Sequence, residues 1–198
     1  MNINFNFFKK RDIREFLINQ FMPAVLIITV GMYLVKGKIS PPYALFSIIG
    51  LYYYSYFIHI FFHILPENIS PHYLHHNNKI MSRVFNLLTE TLTNILFFLI
   101  LYVFQKVIKY ELFPNILISY YAMIYISVHI INFSLFKIES HTKHHKKRKN
   151  TYCNYGPDSI DHLLNTNCDE KWENQIHYLP NILISYIVCS YLFNSKII

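Results

Sequence analysis

The sequence predicts an all-α integral membrane protein: about four transmembrane helices beneath a cytosolic, histidine-rich helical cap. Three observations carry that expectation. Of 198 residues, 53% are hydrophobic and 18% aromatic, above the usual composition of a soluble domain. Four apolar stretches of membrane-crossing length are almost free of Asp, Glu, Lys and Arg. Nine of the eleven histidines gather at or just beyond the ends of those stretches.

Residues 1–15 form a basic flank, with Lys9, Lys10, Arg11 and Arg14 ahead of the first apolar run. Phe16 to Val35 is uncharged over twenty positions, enough to cross about 30 Å of hydrocarbon, and has no small-residue cleavage site of a signal peptide. Lys36-Gly37-Lys38 and Pro41-Pro42 then turn the chain straight back. The second span ends at Pro66 and carries His59 and His63 in its last turns. Val84 to Gln105 is the third, with Glu90 its only formal charge, and Leu112 to Phe136 is the fourth. Residues 16–171 are thus read as one membrane domain with its cap, and 172–198 as a C-terminal apolar helix, spanning or membrane-associated. The heptapeptide PNILISY occurs at both Pro114 and Pro180; one repeat does not make a repeat architecture.

Charge sets the expected orientation. With the N-terminus cytosolic, four spans put 13 of the 18 Lys and Arg on the inner side, including Lys79, Arg83 and the run Lys146 to Lys149. The same assignment places every clustered histidine on that side without having used them. The net charge of +7 is accounted for by these flanks, so nucleic acid is not expected as a partner. Cys153, Cys168 and Cys189 contain no CxxC pair, and no disulfide framework is expected, in keeping with a reducing cytosolic face.

The histidine pattern points to metal. HIFFH supplies His59 and His63; HYLHH supplies His72, His75 and His76; HTKHH supplies His141, His144 and His145; His129 stands between. On a helix, positions three and four apart share a face, so each cluster aims its imidazoles at one point. Neutral imidazole suits zinc, iron or copper, and nine candidates exceed the need of one ion. A carboxylate-bridged bundle would need paired Glu and ExxH repeats, which are absent. An all-histidine two-metal centre at a membrane surface remains, and oxygen activation on a lipid is the chemistry such a centre suits.

HIFFH, HYLHH, the lone His129, HTKHH, then Asn154-Tyr155-Gly156 and the D-x-L-L-x-T stretch from Asp161 closely resemble the fatty acid hydroxylase and sterol desaturase superfamily over roughly residues 43 to 166. The resemblance implies integral-membrane enzymes with two irons, O2 as co-substrate, a sterol or long-chain acyl substrate, and electrons from a separate donor such as cytochrome b5 and its reductase. It also implies residence in the endoplasmic reticulum. The nine histidines fall on metal-ligand positions. Some members have a tenth histidine where this chain has Phe133, and Asn132 acting through water is the candidate to fill that gap. His162, inside the D-x-L-L-x-T stretch, is a further, weaker candidate, and His177 weaker still. Asn165 replaces a usual glycine, and the three-residue spacing of HIFFH leans toward sterol-type members. Two other classes stay open: a histidine-lined metal transporter, and an inactive family member that binds lipid or metal.

Overall fold

The computed structural model describes residues 13–76, 83–136, 138–146, 153–168, 171–173 and 178–195. Among them every regular element is helical. Helix α1 spans Ile13–Leu34, α2 Pro41–Ile64, α3 His72–His76, α4 Arg83–Ile108 and α5 Asn115–Val128, the last continued by a wide π turn, His129–Leu135. The short α6 (Glu139–Lys146) and α7 (Asp158–Leu164) follow, then α8, Tyr178–Asn194. Lys9, Lys10, Arg11, Lys79, the run beyond Lys146, His177 and the side chain of His75 lie outside the described residues.

Four helices are long and apolar enough to cross a membrane, as the hydropathy implied: α1, α2, α4 and α5 with the first part of its π turn. Helix α5 is the hub, 61% buried along its span against 22% for α1, because α1, α2, α4 and α8 all pack on it. Leu51, Tyr56, Phe97, Leu117 and Tyr120 fill the centre. Outward faces show Phe46, Phe57, Phe61, Leu92, Leu99 and Ile187 to the surroundings, an apolar girdle that water would not tolerate and lipid would. Gly31 lets α1 settle on the hub: a Cβ there would come within 2.8 Å of Ile48 and 3.2 Å of Tyr120.

Helix α1 widens into a π turn over Leu17–Phe21, one residue short of Pro23. Proline has no N–H and its ring crowds the carbonyl four residues back, here that of Asn19, so the extra residue in the turn absorbs the conflict.

The C-terminal apolar segment runs the depth of the bundle antiparallel to α5. Near its start Asn181 Nδ2 donates to Asn132 Oδ1 at 3.0 Å; at its other end the Phe193 ring lies 3.2 Å from Lys38 Nζ, in the α1–α2 turn. Asn132 and Asn181 are both buried, so the amide pair fixes the register of α8 on α5. Replacing Asn181 with Leu strands the Asn132 amide and should cost about 1–3 kcal/mol; the double Leu variant should recover much of it. Thermal melts in detergent check this, and equal loss in single and double variants would show that the pair does not couple the helices.

One expectation is corrected. The cysteines form no recognisable spacing, yet residues 153–168 double back, Asn154 N–H meeting the Thr166 carbonyl at 2.8 Å, and Cys153 is disulfide-bonded to Cys168 with their Cα atoms 5.5 Å apart. Only Cys189, buried between α8 and the hub, is a free thiol. The fold fixes the proximity of the pair; the compartment's redox poise governs how long the bond lasts.

Candidate metal centre

Helix α2 places His59 and His63 one turn apart on its buried face, rings stacked 5.0 Å apart. Pro66 ends the helix, and Ser70 Oγ donates back to the Phe62 carbonyl at 2.8 Å, folding the chain over the helix end. Tyr73 OH pins the fold by donating to the His63 carbonyl at 2.9 Å. That return brings His72 Nε2 to 2.8 Å from His63 Nε2 and 3.1 Å from His59 Nε2. From the other half of the chain, α6 inserts His144, whose Nε2 stands 3.1 Å from that of His63. All four rings are buried.

Two of these rings are held by their far nitrogens. His59 Nδ1–H donates to the Tyr155 carbonyl at 2.6 Å, and His144 Nδ1–H to the Cys153 carbonyl at 2.7 Å. A neutral imidazole carries one N–H, so both Nε2 atoms present bare lone pairs to the common centre. His63 Nε2 lies 3.2 Å from the first and 3.1 Å from the second and carries at most one proton, so it cannot satisfy both lone pairs, whereas a shared cation can. For a tetrahedral ion with metal–nitrogen bonds near 2.0–2.1 Å the nitrogens should stand roughly 3.3 Å apart, close to the spacing here. Burial pushes the His144 pKa down to about 4, so this ring stays neutral and able to ligate at physiological pH. His59, His63, His72 and His144 could therefore hold a metal ion.

A second group adjoins it. His141 Nε2 lies 3.1 Å from Glu90 Oε1 and 2.7 Å from His145 Nε2. His76 stands between the groups, its Nε2 3.1 Å from His72 Nε2 and its ring stacked 4.3 Å from His145. His129 opens the π turn, where the wider coil turns its ring to within 5.4 Å of His141's while its Nδ1–H bonds the Tyr125 carbonyl at 2.8 Å. Phe133 lies flat against His141 at 4.0 Å and fixes the plane of that ring.

Eight of the nine expected histidines thus converge; His75 sits on α3 without a described side chain. Of the weaker candidates, His162 and Asn132 have other partners. His162 lies 3.2 Å from Asp158 Oδ1 and packs on Trp172, and the Asn132 oxygen is committed to Asn181. Glu90 was not among the expected ligands, although a lone carboxylate in an apolar span is itself a functional signal.

The loop behind the centre explains the Asn-Tyr-Gly and Asp-x-L-L-x-T pattern. Asn154, Gly156 and Asn165 adopt left-handed backbone, φ 56, 65 and 57°. Asparagine tolerates that region best after glycine, so Asn165 closes α7 where a glycine is usual. Asp161 ties the loop, accepting from Tyr155 N–H at 3.0 Å, Gly156 N–H at 2.5 Å and Thr166 Oγ1 at 2.7 Å. Burial raises its pKa to about 7, a shift the three donors oppose. The carboxylate thereby sets the direction of the Tyr155 carbonyl, and through it the His59 ring.

No protein-family model, curated protein or solved structure matches the chain. Fold and site alone define its class: among the described residues every regular element is helical, four helices have membrane-crossing length, and a buried histidine cluster is compatible with metal binding.

Proposed function

We propose that the protein is a membrane di-iron oxygenase of the fatty acid hydroxylase and sterol desaturase type, hydroxylating or desaturating a lipid. Its co-substrate is O2, its electrons come from a separate donor such as cytochrome b5 and its reductase, and it resides in the endoplasmic reticulum with N-terminus and cap toward the cytosol. The observation that carries the reading is the convergence of ε-nitrogens from two histidine motifs, His63 to His144, 81 positions apart, at 3.1 Å. The start of α1 touches the cap, Gln20 Nε2 donating to Asp158 Oδ2 at 3.0 Å, which agrees with a basic flank and cap on one side. The Cys153–Cys168 pairing weighs the other way, since a reducing compartment disfavours it.

Bound iron would supply the O2 activation that an inert C–H bond requires. Hydroxylation consumes O2, two electrons and two protons and yields an alcohol and water; desaturation consumes the same and yields an alkene and two waters. The chain's own residues do the rest. Tyr155 and Cys153 carbonyls orient two imidazoles, Phe133 holds the plane of a third, and Ile124, Tyr125 and Val128 line a small, mostly apolar cavity of about 60 Å³ that reaches His59, His129 and His141.

Purified protein should contain about two iron ions per chain and form an O2-dependent lipid product only when a donor is supplied. Metal flux across vesicles without product would favour the transporter reading, for which the acidic partner Glu90 is the supporting observation. Iron binding without product or flux would favour an inactive member.

A further inference from the structure

Helix α4 passes both groups of histidines with one face. Thr89, Glu90, Thr93, Asn94, Phe97 and Phe98 recur at the helical spacing and are all buried, polar at first and aromatic beyond. Phe97 meets the first group, its ring centroid 6.0 Å from those of His59 and His72. Glu90, two turns earlier on the same face, meets the second: its Oε1 lies 3.1 Å from His141 Nε2.

Which nitrogen the carboxylate meets decides its role. A group that only orients a ligating histidine accepts from the ring nitrogen turned away from the metal. The Tyr155 and Cys153 carbonyls do this in the first group, each on an Nδ1. Glu90 lies on the opposite side of its histidine. His141 Nε2 faces His145 Nε2 at 2.7 Å, so the carboxylate oxygen stands beside the two converging nitrogens and not behind them. The single proton that His141 Nε2 can carry points to only one of these partners, whereas one cation can bond to all three atoms, which lie within 4.8 Å of one another. Carboxylate oxygen is a harder donor than imidazole, and two histidines with one carboxylate are the ligand set that suits non-haem iron(II). A buried negative charge here also offsets part of the ion's own charge, which the four neutral imidazoles of the first group do not.

We infer that Glu90 is a metal ligand and that, with His141 and His145, it forms a two-histidine, one-carboxylate iron(II) position beside the all-histidine position of His59, His63, His72 and His144. The two halves of the centre are therefore unequal, where the histidine spacing alone implied one kind of donor. The inference rests on the metal-binding part of the proposed function and on nothing of its lipid chemistry.

The test counts metal and needs no turnover. The full chain, purified in detergent and stripped with a chelator, is reloaded anaerobically with Fe2+ alone, and bound iron is titrated per chain. The unaltered chain should hold about two ions and Glu90→Gln about one, the second being held more than about a hundredfold less tightly. Glutamine keeps an oxygen that accepts from His141, so a residue that merely positions that ring would leave the count unchanged. Glu90→His puts a nitrogen where the carboxylate was and should restore the second ion. The ion that Glu90→Gln retains also shows that this variant is folded. Full iron in Glu90→Gln, fewer than two ions in the unaltered chain, or no more iron in Glu90→His than in Glu90→Gln would overturn the inference. Lipid product from a Glu90→Gln chain that keeps both ions would overturn it and leave the oxygenase standing. The expected iron counts without any lipid product would leave Glu90 a ligand and remove the oxygenase.

Discussion

Replacing His144 with Ala should abolish the lipid product and lower iron affinity by more than about a hundredfold while the chain still inserts and folds. His144 is the side chain through which the second half of the sequence reaches the group on α2, and its ring is completely buried. Removing it deletes one donor and leaves the Cys153 carbonyl without its imidazole partner. The matched control is His162→Ala. That ring is as deeply buried, but it packs on Trp172, so its loss should cost stability, about 2–4 kcal/mol, and spare the iron. Iron analysis and product assays on both variants separate a ligand from a merely buried histidine. Equal iron in the two would remove His144 from the centre.

Asp161→Asn carries the second large effect. The carboxylate accepts three hydrogen bonds inside the loop, and an asparagine must turn its NH2 toward donors wherever it turns. Its better orientation keeps the oxygen on Tyr155 N–H and Thr166 Oγ1 and turns the NH2 against Gly156 N–H alone, which should cost about 1–3 kcal/mol. Because the loop delivers the Tyr155 carbonyl to His59, iron affinity should also fall, about 10- to 100-fold, as for other groups that orient ligands. A melt measured with and without iron distinguishes the two consequences. Lower stability with unchanged iron affinity would mean that the loop supports the fold alone.

Much of this was readable beforehand, for physical reasons. Span-length apolar runs are bound to become helices in lipid, because no other backbone form satisfies its own hydrogen bonds there. The HxxHH spacing fixes which rings share a face, so His72 with His76, and His141 with His145, could be paired from the sequence alone. Tertiary context was not readable. The two copies of PNILISY make the point: in α5 Ile116, Leu117 and Ile118 are all buried, whereas in α8 the corresponding Leu183 and Ile184 face outward. Identical residues occupy a hub in one copy and a rim in the other. Glu90, the Cys153 and Tyr155 carbonyls and the Cys153–Cys168 pairing likewise depend on where a loop returns, which local periodicity does not encode.

The 81-position gap between His63 and His144 has a consequence for biosynthesis. A ribosome needs on the order of ten seconds to make that length. For much of that interval His59, His63 and His72 have been made and lack the partner that α6 provides. Any metal that fills the four-histidine site would therefore enter late, and a nascent chain stalled between the two motifs would carry a half-built cage.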